Sequence, residues 1–185
     1  MNSVAKAAGG PSPAPVLGLH HFAYRCRDAE ETRVFYEDVL GLPLVHVVKE
    51  AFVPSTGEKT PFAHVFFELK DGSCIAFFDL GDNVKPEPSP NTPPWVNHLA
   101  LKVPTVKDVE IMKARLEAHG INVLGITDHG FVKSIYFFDP NGIRLEFTAE
   151  TATQDEIKEY ARTAHAALAS WNKEKAEASR ATAKT

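Results

Sequence analysis

One carboxylate stands where a strand should be apolar. Glu146 lies between Leu145 and Phe147 in the run from Ile143 to Thr148, which alternates like a strand with one buried face. Strand interiors rarely bury an unpaired charge. If the Glu146 face points inward, its carboxylate needs a cation, and a metal ion is the economical candidate. Two histidines stand in matching contexts upstream, His21 in LGLHHFAYR and His98 in WVNHLALKV. Two imidazoles and one carboxylate on one face can bind Fe(II) and leave adjacent coordination positions open.

The matching contexts extend into an internal repeat. One half runs GLHHFAYRCRD, a helical AEETRVFYEDVLGL, strands, then LKDGSCIAFFDL. The other runs VNHLALKVPT, a helical VKDVEIMKARLEAHGI, strands, then DPNGIRLEFTAE. Aligning the first strands sets His21 opposite His98. Aligning the last strands on Gly72 and Gly142 sets Ala76 opposite Glu146. The pair of halves supplies His21, His98 and Glu146, and Ala76 at the fourth symmetric position can bind nothing. The expected fold class is α+β: two paired βαβββ modules forming a metal-centred, partly open mixed-sheet cavity, plus a C-terminal helix.

The elements that must hold these residues follow in order. Residues 1–15 are rich in Ala, Gly, Ser and Pro, with neither the apolar core of a secretory signal nor the arginines of a transit peptide, and read as a flexible tail. Module one spans 16–80. It opens on a strand from Val16 to Arg25, and Asp28 with Glu31 forms a capping box for a helix that Gly41 stops after Leu40. Ala29, Arg33, Tyr36 and Leu40 lie near one face of that helix, with Val34 and Phe35 beside it. A strand from Leu44 to Val48, a polar loop and a hairpin about Lys70-Asp71-Gly72 complete the module. The proline-rich stretch 81–94 is a linker. Module two spans 95–149, with a strand from Trp95 to Val103 bearing His98 and a helix from Thr105 to about His119. Its last hairpin turns at Asp139-Pro140-Asn141-Gly142, where Asn-Gly accepts positive φ. In 150–185, Thr153 and Glu156 open a long charged helix that frays from about Lys175. Its stripe of Ile157, Tyr160, Ala161, Ala164 and Leu168 exceeds what the modules need. It is expected to pack on the domain or on a second subunit, giving a homodimer.

A chain of 185 residues with 44% apolar content suits one domain or two small modules sharing a core. Its net charge of −4, without a basic block, argues against nucleic acid or an anionic membrane surface as partner. No apolar run is long enough to span a bilayer. Cys26 and Cys74 lack metal-site spacing and read as buried reduced thiols of a cytoplasmic protein.

Residues 16–149 resemble the vicinal oxygen chelate superfamily, which includes glyoxalase I, fosfomycin-resistance enzymes, bleomycin-binding proteins and the type I extradiol ring-cleaving dioxygenases. Thr127-x-His129, five residues, then Ile135-Tyr136-x-x-Asp139-Pro140-x-Gly142-x-x-x-Glu146 resembles the extradiol signature at every fixed position. The resemblance implies that Glu146, His21 and His98 are the metal ligands. It implies that His129 and Tyr136 are catalytic, His129 as proton donor or hydrogen-bond partner and Tyr136 holding a substrate oxygen. The expected activity is opening of a catechol-like aromatic with O2 at Fe(II). The second active-site histidine of the extradiol enzymes is Ser73 here, and His64 on the adjacent strand could substitute if it faces inward. Two other classes stay open. One is a non-redox lyase, isomerase or thiol transferase using Mn(II), Zn(II) or Ni(II). Within that class, glyoxalase I uses a fourth ligand where this chain has Ala76, and fosfomycin enzymes share the two-His, one-Glu set but carry Thr where this chain has Ala23. The other is a binding module of the bleomycin-resistance kind, which lacks the triad. His20, His46, His119 and His165 are given no role. The many phenylalanines are core first and an aromatic-substrate wall second.

Overall fold

A computed structural model describes residues 13–182, so most of the expected tail 1–15 lies outside the described residues. The first half runs β1 (His21–Cys26), α1 (Ala29–Arg33) continuing into a π-helical segment (Val34–Val39), β2 (Leu44–Glu50), β3 (Phe62–Glu68) and β4 (Cys74–Asp79). The second runs β5 (Leu99–Lys102), α2 (Val106–Ala118), β6 (Leu124–Asp128), β7 (Val132–Phe138) and β8 (Arg144–Glu150), followed by α3 (Gln154–Thr182). Each half is βαβββ, with sheet orders β1-β4-β3-β2 and β5-β8-β7-β6. In each sheet the first and last strands of the half pair in parallel and the other pairings are antiparallel. The fold is the expected α+β repeat, and the chain divides into two units, Met1–Pro88 and Ser89–Thr185.

In the first unit, Asp28 caps α1 by accepting from Glu31 N–H at 2.7 Å. The helix then widens. Leu40 N–H donates to Phe35 O at 3.0 Å, a five-residue spacing. Tyr36 and Leu40 of the expected face keep their place toward the core. Phe35, Tyr36, Val39 and Leu40 are buried while Val34 is 43% exposed. Tyr36 stacks on Phe67 at 5.2 Å and meets Phe77 at 4.9 Å, which makes it the centre of this core.

The second unit is built on strand parity. Leu145, Phe147 and Ala149 of β8 are buried, with Ile135 and Phe137 of β7, and the Phe137 and Phe147 rings stack at 5.3 Å. Val109 and Leu116 of α2 are fully buried in the same unit, and α2 packs on β7 and β8. The two-residue period therefore turns Arg144, Glu146 and Thr148 to the face away from α2. The β7–β8 turn is held by Asp139, whose Oδ1 accepts from Asn141 N–H at 2.9 Å and Ile143 N–H at 2.7 Å. Only Gly142, at φ 85°, is left-handed there, so the expected positive φ falls on the glycine alone. The β3–β4 turn repeats the device. Asp71 Oδ1 accepts from Ser73 N–H and Oγ, and Gly72 stands at φ 84°.

Three expected boundaries differ. β1 starts at His21 rather than Val16, and Val16 and Leu17 are over 90% exposed with no ladder to join. β5 starts at Leu99 rather than Trp95, because Pro93 and Pro94 bend the chain into a turn closed by Val96 N–H on Pro93 O at 3.0 Å. His98 thus sits on the loop that enters β5. α3 stays helical to Thr182, as its Ala-, Lys- and Glu-rich composition favours, instead of fraying from Lys175. Its Thr153–Glu156 capping box is formed in both directions, Glu156 N–H to Thr153 Oγ1 at 3.3 Å and Thr153 N–H to Glu156 Oε2 at 2.7 Å. Among the described residues no helix is long and apolar enough to cross a membrane.

Replacing Phe137 by Ala is expected to lower unfolding free energy by about 3–5 kcal/mol. Val34→Ala, on the exposed side of the π segment, is expected to stay within about 0.5 kcal/mol. Denaturant titration of both variants checks the core assignment. Equal effects would contradict it.

Candidate metal and catalytic site

On the face of the second sheet turned away from α2, Glu146 is only 5% exposed. Its Oε2 lies 2.9 Å from His98 Nε2. The other ring nitrogen of His98 is 2.9 Å from Val96 O. A carbonyl can only accept, so His98 Nδ1 carries the proton and the ring is fixed in that tautomer. Nε2 then points either a shared proton or a bare lone pair at the carboxylate. Two lone pairs cannot face each other at this distance without a cation between or beside them. A separation of 2.9 Å is also close to what two cis ligands span when each is about 2.1 Å from one ion. The loop that carries His98 and the strand that carries Glu146 thus offer a donor pair that fits a divalent metal.

Tyr136 and His129 continue the arrangement. Tyr136 is the β7 register partner of Glu146. Its hydroxyl lies 2.7 Å from His129 Nε2, and its ring is edge-on to His98 at 5.9 Å between centroids. Burial, with the nearby Glu146 charge second, holds the Tyr136 phenol above its ordinary value, so it stays protonated at neutral pH. His129 itself is exposed, at the β6–β7 turn, where its N–H is held by Val132 O at 3.0 Å. The four groups form a row: His129, Tyr136, Glu146, His98.

The first unit carries the corresponding positions with different chemistry. β1 pairs Ala23 with Ala76, and β5 pairs Ala100 with Glu146. β3 pairs Phe66 with Ala76 as β7 pairs Tyr136 with Glu146. His21, two residues before Ala23, therefore matches His98, two before Ala100. Its ring meets Phe66 at 5.5 Å, much as His98 meets Tyr136. His21 Nδ1 is 2.7 Å from Nδ1 of His20, so one of those nitrogens carries the proton. Among the described residues no three His, Cys, Asp or Glu side chains are gathered into one metal-binding group. The donor pair of direct contact is His98 with Glu146.

His64 faces inward beside His21, with ring centroids 5.9 Å apart, and stacks on Phe78 at 3.7 Å. Burial first, then His21 and His46, lowers its pKa, so it is a neutral imidazole at pH 7. Its Nε2 is buried with no hydrogen-bond partner among the described residues. Ser73 is committed to the turn, its hydroxyl donating to Asp71 at 2.7 Å. Arg144, which the sequence did not single out, lies on the Glu146 face with its guanidinium 4.1 Å from the Tyr136 ring centroid. A cation two residues before the acid at strand period was the available signal.

Residues 18–147 match the model of the Glyoxalase/Bleomycin resistance protein/Dioxygenase superfamily. The chain is 28% identical over 140 residues to biphenyl-2,3-diol 1,2-dioxygenase of Paraburkholderia xenovorans (strain LB400), covering 75% of this chain and 43% of that enzyme. It thus spans about two fifths of the length of that curated relative. Among solved structures, a glyoxylase/bleomycin resistance protein/dioxygenase domain from Frankia sp. EAN1pec superposes with a TM-score of 0.61 at 17% identity, over 74% of this chain and 99% of that one. A fosfomycin resistance protein of Listeria monocytogenes, complexed with Mn(II) and 1S,2S-dihydroxypropylphosphonic acid, superposes with a TM-score of 0.54 at 19% identity, over 77% of this chain and 98% of that one. At these identities the superpositions describe the fold.

If Glu146 and His98 are metal ligands, Glu146→Ala and His98→Ala should each cut Mn(II) affinity at least tenfold. Calorimetric titration of metal-free protein checks this. Wild-type affinity in both variants would remove the pair from any metal site.

Proposed function

The chain belongs to the glyoxalase/bleomycin resistance protein/dioxygenase superfamily, and we propose that within it the protein is an extradiol-type dioxygenase that opens a catechol-like aromatic with O2. The observation that carries this reading is the row His129–Tyr136–Glu146–His98, in which His129, Tyr136 and Glu146 have the spacing of the extradiol signature. The dioxygenase name of the Paraburkholderia relative supports it. His21, His98 and Glu146 would hold the metal, with Fe(II) the ion that suits the reaction. Bound there, iron supplies a common template and charge sink for the aromatic and dioxygen. The protein's own groups do the rest. The protonated Tyr136 phenol donates to a substrate oxygen, and His129, behind it at 2.7 Å, takes up or returns a proton at that hydroxyl.

A non-redox metal lyase, isomerase or transferase is the second reading. It is favoured by one observation: Ser73, at the position of the extradiol enzymes' second histidine, spends its hydroxyl on Asp71. The two readings separate under oxygen. Protein loaded with Fe(II) anaerobically should consume O2 with catechols and form a yellow ring-opened product. His129→Ala should lower turnover by about 10²–10⁴-fold with metal content nearly unchanged. Catechol binding without oxygen uptake would leave the lyase or transferase reading in its place.

We also propose that α3 pairs with α3 of a second copy. Tyr160, Leu168 and Trp171 are about half exposed along one stripe. The stripe is a size palindrome about Ala164: Ile157 mirrors Trp171, Tyr160 mirrors Leu168, and Ala161 mirrors Ala167. An antiparallel two-fold contact is self-complementary by construction. It sets large side chains against large ones, lets the central alanines approach, and brings Asp155 opposite Lys173. Sedimentation should give a dimer at micromolar concentration, and Ala164→Glu should give a monomer. A monomeric wild-type protein would contradict the pairing.

A further inference from the structure

Beside the row of site residues, the second unit holds an open pocket of about 770 Å³. Trp95, Val123, Leu124, Tyr136 and Phe138 give it an apolar, aromatic wall, and Arg144 is the cation in that wall. The guanidinium is held in two ways. It lies over the Tyr136 ring at 4.1 Å from the centroid, and its Nη1 donates to Trp95 O at 2.5 Å. A ring face and one carbonyl use little of a group with five N–H donors. Among the described residues no carboxylate is paired with it. The acid in the pocket wall, Glu117, is already 3.8 Å from Lys113.

A half-buried arginine clamped at two points with no carboxylate in contact keeps donors free for a planar anion. Arg144 stands two residues before Glu146 on the same face of β8. That separation is about 7 Å along a strand, comparable with an aromatic ring measured from one substituent to the opposite one. We infer that Arg144 and the pocket it heads form a carboxylate subsite, and that the protein takes aromatic substrates carrying a carboxylate on the side of the ring away from the reacting oxygens. This deepens the proposed function and rests on it for the chemistry, but binding of the anion itself requires neither metal nor turnover. Arg144 would determine specificity by rewarding the charged ring over its neutral isostere.

The chain has two tryptophans, so Trp171→Phe leaves Trp95, which is 69% exposed at the pocket, as the reporter. In metal-free protein on this background, benzoate should quench Trp95 saturably, and benzamide at least tenfold more weakly. Arg144→Gln should cost benzoate tenfold or more in affinity and bring it level with benzamide. Arg144→Lys, which keeps the charge but not the fork, should retain part of the preference and exclude misfolding as the cause. Calorimetry with the same ligands guards against a trivial change in fluorescence. Equal binding of benzoate and benzamide, or benzoate affinity unaffected by Arg144→Gln, would overturn the subsite. In Fe(II)-loaded enzyme the KM ratio of catechol to 3,4-dihydroxybenzoate should fall by a similar factor in Arg144→Gln. Failure of ring cleavage with an intact benzoate preference would remove the dioxygenase reading and leave the anion subsite standing.

Discussion

Glu146 keeps a carboxylate 5% exposed on a strand whose other face is packed under a helix. An uncompensated buried charge costs several kcal/mol, and the side chain that meets it is an imidazole whose second nitrogen is fixed as a donor to Val96 O. Everything else around the site can be read as a response to that charge. The loop ahead of β5 delivers His98 to it, and the β7 register sets Tyr136 beside it. The β7–β8 turn, tied by Asp139, fixes the parity that keeps it off the core face. A one-residue slip of β8 would drive the charge under α2 and expose Leu145 and Phe147.

The repeat explains why two similar modules differ in chemistry. Both present an imidazole two residues before the alanine of the first strand, Ala23 or Ala100, and an aromatic ring next to it. Only the second adds the acid and the phenol, where the first has Ala76 and Phe66. Sharing one backbone plan while varying three or four side chains lets one unit specialise in apolar packing, with Phe66, Phe78 and His64 stacked together. The other keeps a polar row on the equivalent face.

Much of this was legible in the chain because strand parity and repeats are written directly in residue order. The alternation around Glu146, the Asp71-Gly72 and Asp139-Pro140-Asn141-Gly142 turns and the two histidine contexts lead to the βαβββ repeat without tertiary information. Propensity was less informative where tertiary packing overrides it. The π segment at Val34–Val39 widens one turn, and nothing in the residue types of VFYEDV announces its five-residue hydrogen bond. The proline turn before His98 shortens β5 because the chain must turn at Pro93 before the ladder begins. Arg144 was missed because a lone arginine on a strand usually marks a solvated face. Only its position over Tyr136 and its bond to Trp95 O distinguish it. The inward turn of His64 was likewise a matter of parity that only the register with Phe78 decides.

On this reading the Glu146 charge holds a divalent cation together with imidazole nitrogen. X-ray absorption on Fe(II)-loaded protein tests it most directly, because imidazole rings leave a multiple-scattering signature that water and carboxylates lack. The expected shell contains two imidazoles, falling to one in His98→Ala and likewise to one in His21→Ala. A shell of oxygen donors alone, unchanged by either substitution, would contradict it and leave His98 and Glu146 as a proton-sharing pair.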